Sequence, residues 1–190
     1  EAALARREGD LARAQEVWGR VLDREPLALD AHAAVAWLLA AREGPSSAVA
    51  HLAEAFRRFP HHGGLAAALL AWVRERDPAR AEAVARHMVD AEPADAWWRR
   101  ELALGLERLG RLEEAEAEAL AARTTAPRDA ASHGVLAGLH ERLGRADLAR
   151  EGFREAVGLD VDYPWAVHRL VELAPDATAR RAELDRVRAE

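Results

Sequence analysis

The chain has 190 residues and a net charge of −6, half of its residues are apolar, and it contains no cysteine. The missing thiols exclude a disulfide, a thiolate zinc site and a cysteine nucleophile. The acidic balance argues against a nucleic-acid partner, because phosphate binding needs clustered positive charge. No apolar run approaches the roughly 18–20 residues that span a bilayer, so we predict no membrane partner.

Lysine, asparagine and isoleucine are absent, so arginine is the basic residue throughout. We interpret this bias as the imprint of a GC-rich genome, bacterial by preference. The dominance of alanine and leucine favours an all-helical fold. Glu1 falls inside a helical pattern that stops at Gly9 and Asp10, which predicts that the chain is a piece of a longer protein.

A periodicity of 3.6 residues predicts a succession of helices. In chain order they cover residues 1–8, 11–24, 29–42, 48–59, 65–76, 78–91, 95–109, 112–124, 131–143, 146–159, 164–174 and 177–189. No segment alternates, so we expect helix in more than about three quarters of the residues and no strand.

Helix-capping residues occur before several of these patterns. Asp77, Asp129 and Asp176 are predicted N-caps, and so are Ser46 and Ser47, because short polar side chains accept hydrogen bonds from the first turn. Residues 61–64, which contain two glycines, are predicted to form a loop. The last helix is predicted to be solvent-exposed, with a narrow apolar stripe of Ala177, Leu184 and Val187.

Residues that end helices recur at a regular interval along the chain. Four prolines, each near the end of a helical pattern, are separated by 33 or 34 residues: Pro26, Pro60, Pro93 and Pro127. Proline cannot continue a helix and therefore marks a stop. Gly110 and Gly144 are 34 residues apart. Each is expected to end a helix in the left-handed conformation that glycine adopts without a Cβ clash.

Side-chain size repeats with the same period. A small residue recurs after each turn, at Ala14, Ala48, Ala81, Ala115 and Ala149, and four positions later come Trp18, Leu52, Ala85, Ala119 and Phe153. A 34-residue period with this pattern and a closing proline resembles the tetratricopeptide repeat. The resemblance covers nearly the whole chain. It implies an all-α, right-handed α-solenoid of antiparallel helix pairs, with a C-terminal solvating helix.

We therefore predict a single domain over residues 1–190. Its units are 1–28 (partial), 29–62, 63–95, 96–129, 130–163 and 164–190 (partial). The usual aromatic residue of the first helix is replaced by His32, Ala66, Arg99 and His133, a departure that concerns local packing. The alternatives are a pentatricopeptide array, which has a 35-residue period and a basic face, and generic helical hairpins.

The sequence contains no catalytic motif. His61 and His62 are adjacent but have no third ligand within reach. His133 and His140 are seven residues apart, which is about 10.5 Å along a helix axis and too far to share an ion. A glycine-rich phosphate loop and the common hydrolase motifs are absent. We therefore predict no enzyme activity, no cofactor and no metal.

In the tetratricopeptide family the first helices line a concave groove that binds a protein or peptide. Transferred to this chain, the predicted groove residues are Trp37, Arg74, Trp97, Arg100, Leu104, Arg108, Arg142, Trp165 and His168. Tryptophan and arginine commonly dominate binding energy, and small alanines and glycines between them are expected to leave room for partner side chains. Trp18 and Trp72 are expected to wedge adjacent repeats together instead.

The family member that grips acidic chaperone tails uses lysine and asparagine, which this chain lacks, so we exclude that partner. The predicted function is a non-catalytic, cytoplasmic scaffold that binds a protein or peptide, as a monomer or a weak homo-oligomer. One alternative is an accessory domain that presents substrate within a larger bacterial enzyme, such as a glycosyl- or sulfotransferase. The other is a self-assembling scaffold.

Overall fold

The computed structural model describes residues 11–187. Helices account for 80% of these residues, and no strand occurs among them. The predicted all-α class with antiparallel helix pairs is confirmed. The helix predicted over residues 1–8 and the last residues of the predicted terminal helix lie outside the described residues.

Eleven helices follow one another between residues 11 and 187. They are α1 (Leu11–Arg24), α2 (Leu29–Glu43), α3 (Pro45–Arg58), α4 (Gly63–Val73), α5 (Pro78–Ala91), α6 (Ala96–Arg108), α7 (Leu112–Thr125), α8 (Ala130–Arg142), α9 (Ala146–Leu159), α10 (Pro164–Glu172) and α11 (Ala177–Val187). The chain divides into two compact units between Arg80 and Ala81. The first unit contains α1 to α4, and the second contains most of α5 and all of α6 to α11.

Prolines and glycines end the helices as predicted. Each of the four periodic prolines lies two residues beyond the end of a helix, namely α1, α3, α5 or α7. Gly110 and Gly144 have φ values of 76° and 75°. At each of these turns the next N–H donates back to a helix carbonyl, from Arg111 to Leu106 at 3.0 Å and from Arg145 to His140 at 2.8 Å. This pairing satisfies the last carbonyls of α6 and α8.

The aspartate caps are also confirmed. Asp77, Asp129 and Asp176 accept the backbone N–H three residues later at 3.1, 3.0 and 2.8 Å. The predicted serine caps of α3 are wrong, because the helix begins at Pro45 and neither Ser46 nor Ser47 precedes it. Proline suits the first helical position, since its φ is already helical and its missing N–H would have no partner there.

The loop predicted over residues 61–64 is wrong in its second half. α4 begins at Gly63, and Nδ1 of His62 accepts the N–H of Leu65 at 3.2 Å. The histidine thus replaces the usual polar cap, which sequence pattern alone did not indicate. At the other end α4 stops at Val73, three residues before the predicted end.

Polar residues in the first helices bind the turn prolines. Nε2–H of His32 and of His133 donates to the carbonyls of Pro26 and Pro127, at 3.0 and 2.8 Å. Nε–H of Arg99 donates to the carbonyl of Pro93 at 3.2 Å. These are three of the four positions where the chain departs from the repeat pattern. The fourth is Ala66, which has no side-chain donor.

Each of these three side chains also binds the second helix of its pair. His32 contacts His51 at 3.1 Å, Arg99 contacts Glu118 at 3.1 Å, and His133 contacts Glu155 at 2.9 Å. A polar bridge therefore ties the turn to both helices where an aromatic residue would usually pack.

The core of the second unit is centred on Phe153, which is fully buried as predicted. It packs with Ala137, Ala156 and Leu170, and its ring centroid is 5.2 Å from that of Trp165.

The terminal helix α11 uses a charged anchor in place of most of its predicted apolar stripe. Ala177 and Leu184 are exposed, and only Val187 packs against the core cluster. Glu183 is buried and pairs with Arg154 of α9 and with Arg186, the latter at 3.2 Å. The side-chain hydrogen bond with Glu183 raises the pKa of Arg154.

Candidate binding surface

A cavity of about 560 Å³ lies within the first unit, between α2, α3 and α4. Alanine methyl groups form much of its wall: Ala33, Ala40 and Ala41 from α2, and Ala68 and Ala71 from α4. Because these side chains are short, the helix backbones bound an open space that larger residues would fill.

Two tryptophans line the same cavity. The side chain of Trp37 is 64% exposed. Its ring centroid is 5.1 Å from that of Trp72, with the rings inclined at 62°. Leu52 of α3 is fully buried and Pro45 completes the apolar lining. Trp37 was predicted to bind a partner. Trp72 was expected to wedge adjacent repeats together; it is half-buried, and its contact with Trp37 joins α4 to α2 of the preceding repeat at the cavity wall.

Arg76 is the only charged residue that lines the cavity in the described part of the chain. Its Nη1–H donates to the carbonyl of Trp72 at 3.3 Å. The sequence analysis did not identify Trp72 or Arg76 as site residues. The available signal was their spacing of four residues, which places both on one face of a helical turn. Arg74 was predicted for the groove, but it is not among the residues that line this cavity.

The predicted groove residues of the second unit have partners within the chain. Arg100 pairs with Asp129, and Nη1 of Arg142 lies 2.9 Å from a carboxylate oxygen of Glu107. Burial raises the pKa of Asp129, but hydrogen bonding from Ser132 and the charge of Arg100 outweigh it, so the net pKa is lowered. Arg108 donates to the carbonyl of Leu104 at 3.3 Å.

The remaining predicted residues of this unit are aromatic or imidazole side chains. Trp97 is half-buried, and its ring centroid is 4.4 Å from that of Trp98, which is buried. Trp165 is 43% exposed, and Nε2 of His168 is 3.3 Å from a carboxylate oxygen of Glu172.

Small residues along the first helices were expected to leave room for partner side chains. Along α8 this expectation is wrong. A Cβ added at Gly134 would lie 2.7 Å from Cε1 of Tyr163, and one at Gly138 would lie 3.1 Å from Cη2 of Trp165. The two glycines instead accommodate aromatic rings from the following turn and helix. The space is therefore filled by the chain itself.

Among residues 11–187, no group of three or more histidine, aspartate or glutamate side chains is arranged to hold a metal ion. Within the same range, no helix has both the length and the apolar character needed to cross a bilayer.

No family model matches the sequence, and it matches no curated protein sequence. Several solved structures are similar in fold. The tetratricopeptide protein TTC0263 of Thermus thermophilus is 18% identical, covers 90% of this chain and 94% of its own, and has a TM-score of 0.65.

Two further structures match over similar lengths. YrrB, described as a tetratricopeptide protein with an unusual peptide-binding site, is 21% identical over 88% of this chain and 87% of its own, with a TM-score of 0.64. MamA of Desulfovibrio magneticus is 20% identical over 85% of this chain and 92% of its own, also with a TM-score of 0.64. Together with the repeated helix pairs, these matches show that the chain has the fold of tetratricopeptide-repeat proteins.

Proposed function

We propose that this chain is a non-catalytic module that binds a protein or peptide segment in the cavity of its first unit. The observation that carries the proposal is the largely exposed indole of Trp37 beside an apolar cavity of about 560 Å³. A tryptophan in this position contributes little to the folded core, whereas exposed indoles beside pockets commonly act as binding anchors.

The cavity has the character of a binding site. Its volume falls within the range of about 300–1,000 Å³ that is typical of ligand pockets, and its lining is mainly apolar with one polar group. YrrB, which has the same fold, is described as having a peptide-binding site. That likeness supports a peptide as the kind of partner to test first.

The predicted residues outside the cavity remain part of the proposal: Arg74 in the first unit, and the others as a second contact surface in the second unit. The exposed members of that set in the second unit are Arg108, Arg142, Trp165 and His168. Arg100 and Arg142 would have to exchange an internal carboxylate for one from a partner. Replacing one ion pair by another gains little binding free energy, so we expect this surface to contribute less to the affinity than Trp37 does.

A cytoplasmic location and a monomeric or weakly associating state belong to the same proposal. The two alternatives differ in what would occupy the cavity. An accessory domain would present a substrate there to a catalytic domain, and a self-assembling scaffold would use another copy of the chain. Light scattering over a concentration series distinguishes the self-assembling scaffold from the other two possibilities, because self-assembly raises the average mass as concentration rises.

The test is a peptide-binding measurement on matched tryptophan variants. Peptides selected from a displayed library of random short sequences should bind Trp37→Ala at least about tenfold more weakly than wild type, because truncation of an aromatic anchor commonly costs about 2 kcal/mol or more. Trp165→Ala is the comparison variant: it removes a partly exposed indole from the second contact surface and should weaken binding less than Trp37→Ala does. The melting temperature of Trp37→Ala should stay close to that of wild type.

Equal affinity of wild type and Trp37→Ala for every selected peptide would contradict the proposed site. Unfolding of Trp37→Ala would show that the indole belongs to the core.

A further inference from the structure

The cavity of the first unit combines an apolar wall with a single cationic group. All of its lining residues other than Arg76 are apolar. The guanidinium of Arg76 is solvent-exposed and anchored by one donor to the carbonyl of Trp72. No carboxylate pairs with it in the described part of the chain. The remaining N–H donors therefore point to a ligand group that accepts hydrogen bonds.

Charge decides which polar group fits beside the tryptophans. Exposed indole faces by themselves attract cations. Here a cation would meet the like charge of Arg76, and none of the described residues that line the cavity is acidic, so nothing among them offsets that repulsion. A carboxylate has the opposite sign, and its two oxygens match the planar fork of a guanidinium.

We infer that the cavity takes a peptide segment in which a bulky apolar side chain lies beside an aspartate or glutamate. The apolar side chain packs beside the contacting rings of Trp37 and Trp72, against the alanine methyl groups, and the carboxylate accepts hydrogen bonds from Arg76. This inference rests on the proposed function and adds the chemistry of the partner. It requires only one carboxylate, next to an apolar anchor.

The test is a parallel selection from one displayed library of random short peptides. The targets are wild type, Arg76→Glu and Trp37→Ala, with Arg58→Glu as the matched charge control. Arg58 is exposed on the same unit and is not part of the cavity lining. A thermal melt of each variant establishes that the comparison is between folded proteins.

Wild type and Arg58→Glu should enrich leucine, methionine or phenylalanine next to an acidic residue. Arg76→Glu should enrich the same apolar residues next to lysine or arginine. A synthetic peptide from the wild-type selection should bind Arg76→Glu at least about tenfold more weakly, because the mutation replaces a charge-assisted contact with a like-charge one.

Different failures overturn different statements. If the enriched peptides require Trp37 but keep the same acidic preference on Arg76→Glu, the inference is wrong and the proposed function stands. Enrichment of basic residues on wild type would also overturn the inference and assign the indoles to cation binding. If Trp37→Ala enriches the same peptides as wild type, or if no peptide is enriched, the proposed function fails together with the inference.

Discussion

In the first unit, Ala40 and Ala41 face an open cavity. The corresponding residues three repeats later in the second unit are Glu141 and Arg142, which pair with Arg169 and Glu107. Trp37 likewise corresponds to Gly138, where the ring of Trp165 takes the space. The same repeat positions therefore form a vacant apolar surface in one unit and a filled, ion-paired surface in the other.

This difference shows that the same repeat positions can be open in one unit and filled in the other while both units consist of helix pairs. The helix pairs are set by the small residues, the prolines and the caps, which recur in both units. Whether a groove position is open depends on the size of the side chains that neighbouring repeats direct toward it. Substitutions can therefore fill the cavity of the first unit, or disrupt the side-chain packing of the second, while the helices persist.

The largest expected effect is on the filled core of the second unit. Phe153→Ala should destabilise the protein by roughly 3–5 kcal/mol, because it removes a fully buried ring and leaves a cavity. Urea unfolding followed by circular dichroism measures the change. A loss below about 1 kcal/mol would show that neighbouring helices collapse into the space, contrary to the packing described.

One substitution should have opposite effects in the two units. A Cβ added at Gly152 would lie 2.9 Å from Cβ of Ala137, whereas among the described residues no atom lies within 4 Å of one added at Gly19. Gly152→Ala should destabilise by roughly 1–2 kcal/mol, since overpacking outweighs the gain in helix propensity. Gly19→Ala should stabilise by roughly 0.5–1 kcal/mol. The pair is compared by urea unfolding, and a stabilising Gly152→Ala would contradict the close approach of α8 and α9.

Exchanging residues between the units should close the cavity. The double substitution Ala40→Glu with Ala41→Arg introduces the charged side chains of the second unit into the first. Binding of the peptides selected on wild type should fall at least about tenfold, because polar side chains then occupy and hydrate the apolar wall. The helix content should not change, since both new residues are good helix formers.

Glu141→Ala with Arg142→Ala is the reciprocal control. It should not create a binding site, because Trp165 still covers Gly138. Peptide binding that survives the Ala40 and Ala41 exchange would place the contact surface elsewhere.

The smallest effect concerns pH and the histidine of α3. Burial and the neighbouring His32 lower the pKa of His51 below 6.5. The unfolded chain therefore binds more protons between that lowered pKa and 6.5, so the free energy of unfolding should fall as pH drops through this window. Asp23, Glu54 and Arg58 line the small cavity beside the pair.

The measurement compares urea unfolding above and below pH 6.5 in wild type and His51→Gln. Glutamine can still donate to Nδ1 of His32 but does not titrate, so the variant should lose part of the pH dependence. An unchanged pH profile in His51→Gln would exclude this pair as the source.

The repeat architecture was predictable from sequence because its signals are local. Each helix-ending proline, such as Pro26 or Pro60, acts within one helical turn. The same holds for Gly144 at a helix end and Asp129 at a helix start, so the effect of each depends on neighbouring residues in the sequence. Buried Phe153 was predictable for the same reason, since periodicity places it on the inner face of its helix.

Only the tertiary structure decided which groove positions are open. Trp37 and Trp165 are both tryptophans of first helices, and Ala71 and Gly138 are both small residues at the same repeat position. Trp165 packs over Gly138 and against Phe153, whereas Trp37 meets Trp72 at the edge of a cavity. Arg100 similarly gains Asp129 as a partner, while Arg76 has no carboxylate in the described chain. Such contacts join residues of different helices, and their occurrence depends on the distances between those helices, which local periodicity does not specify.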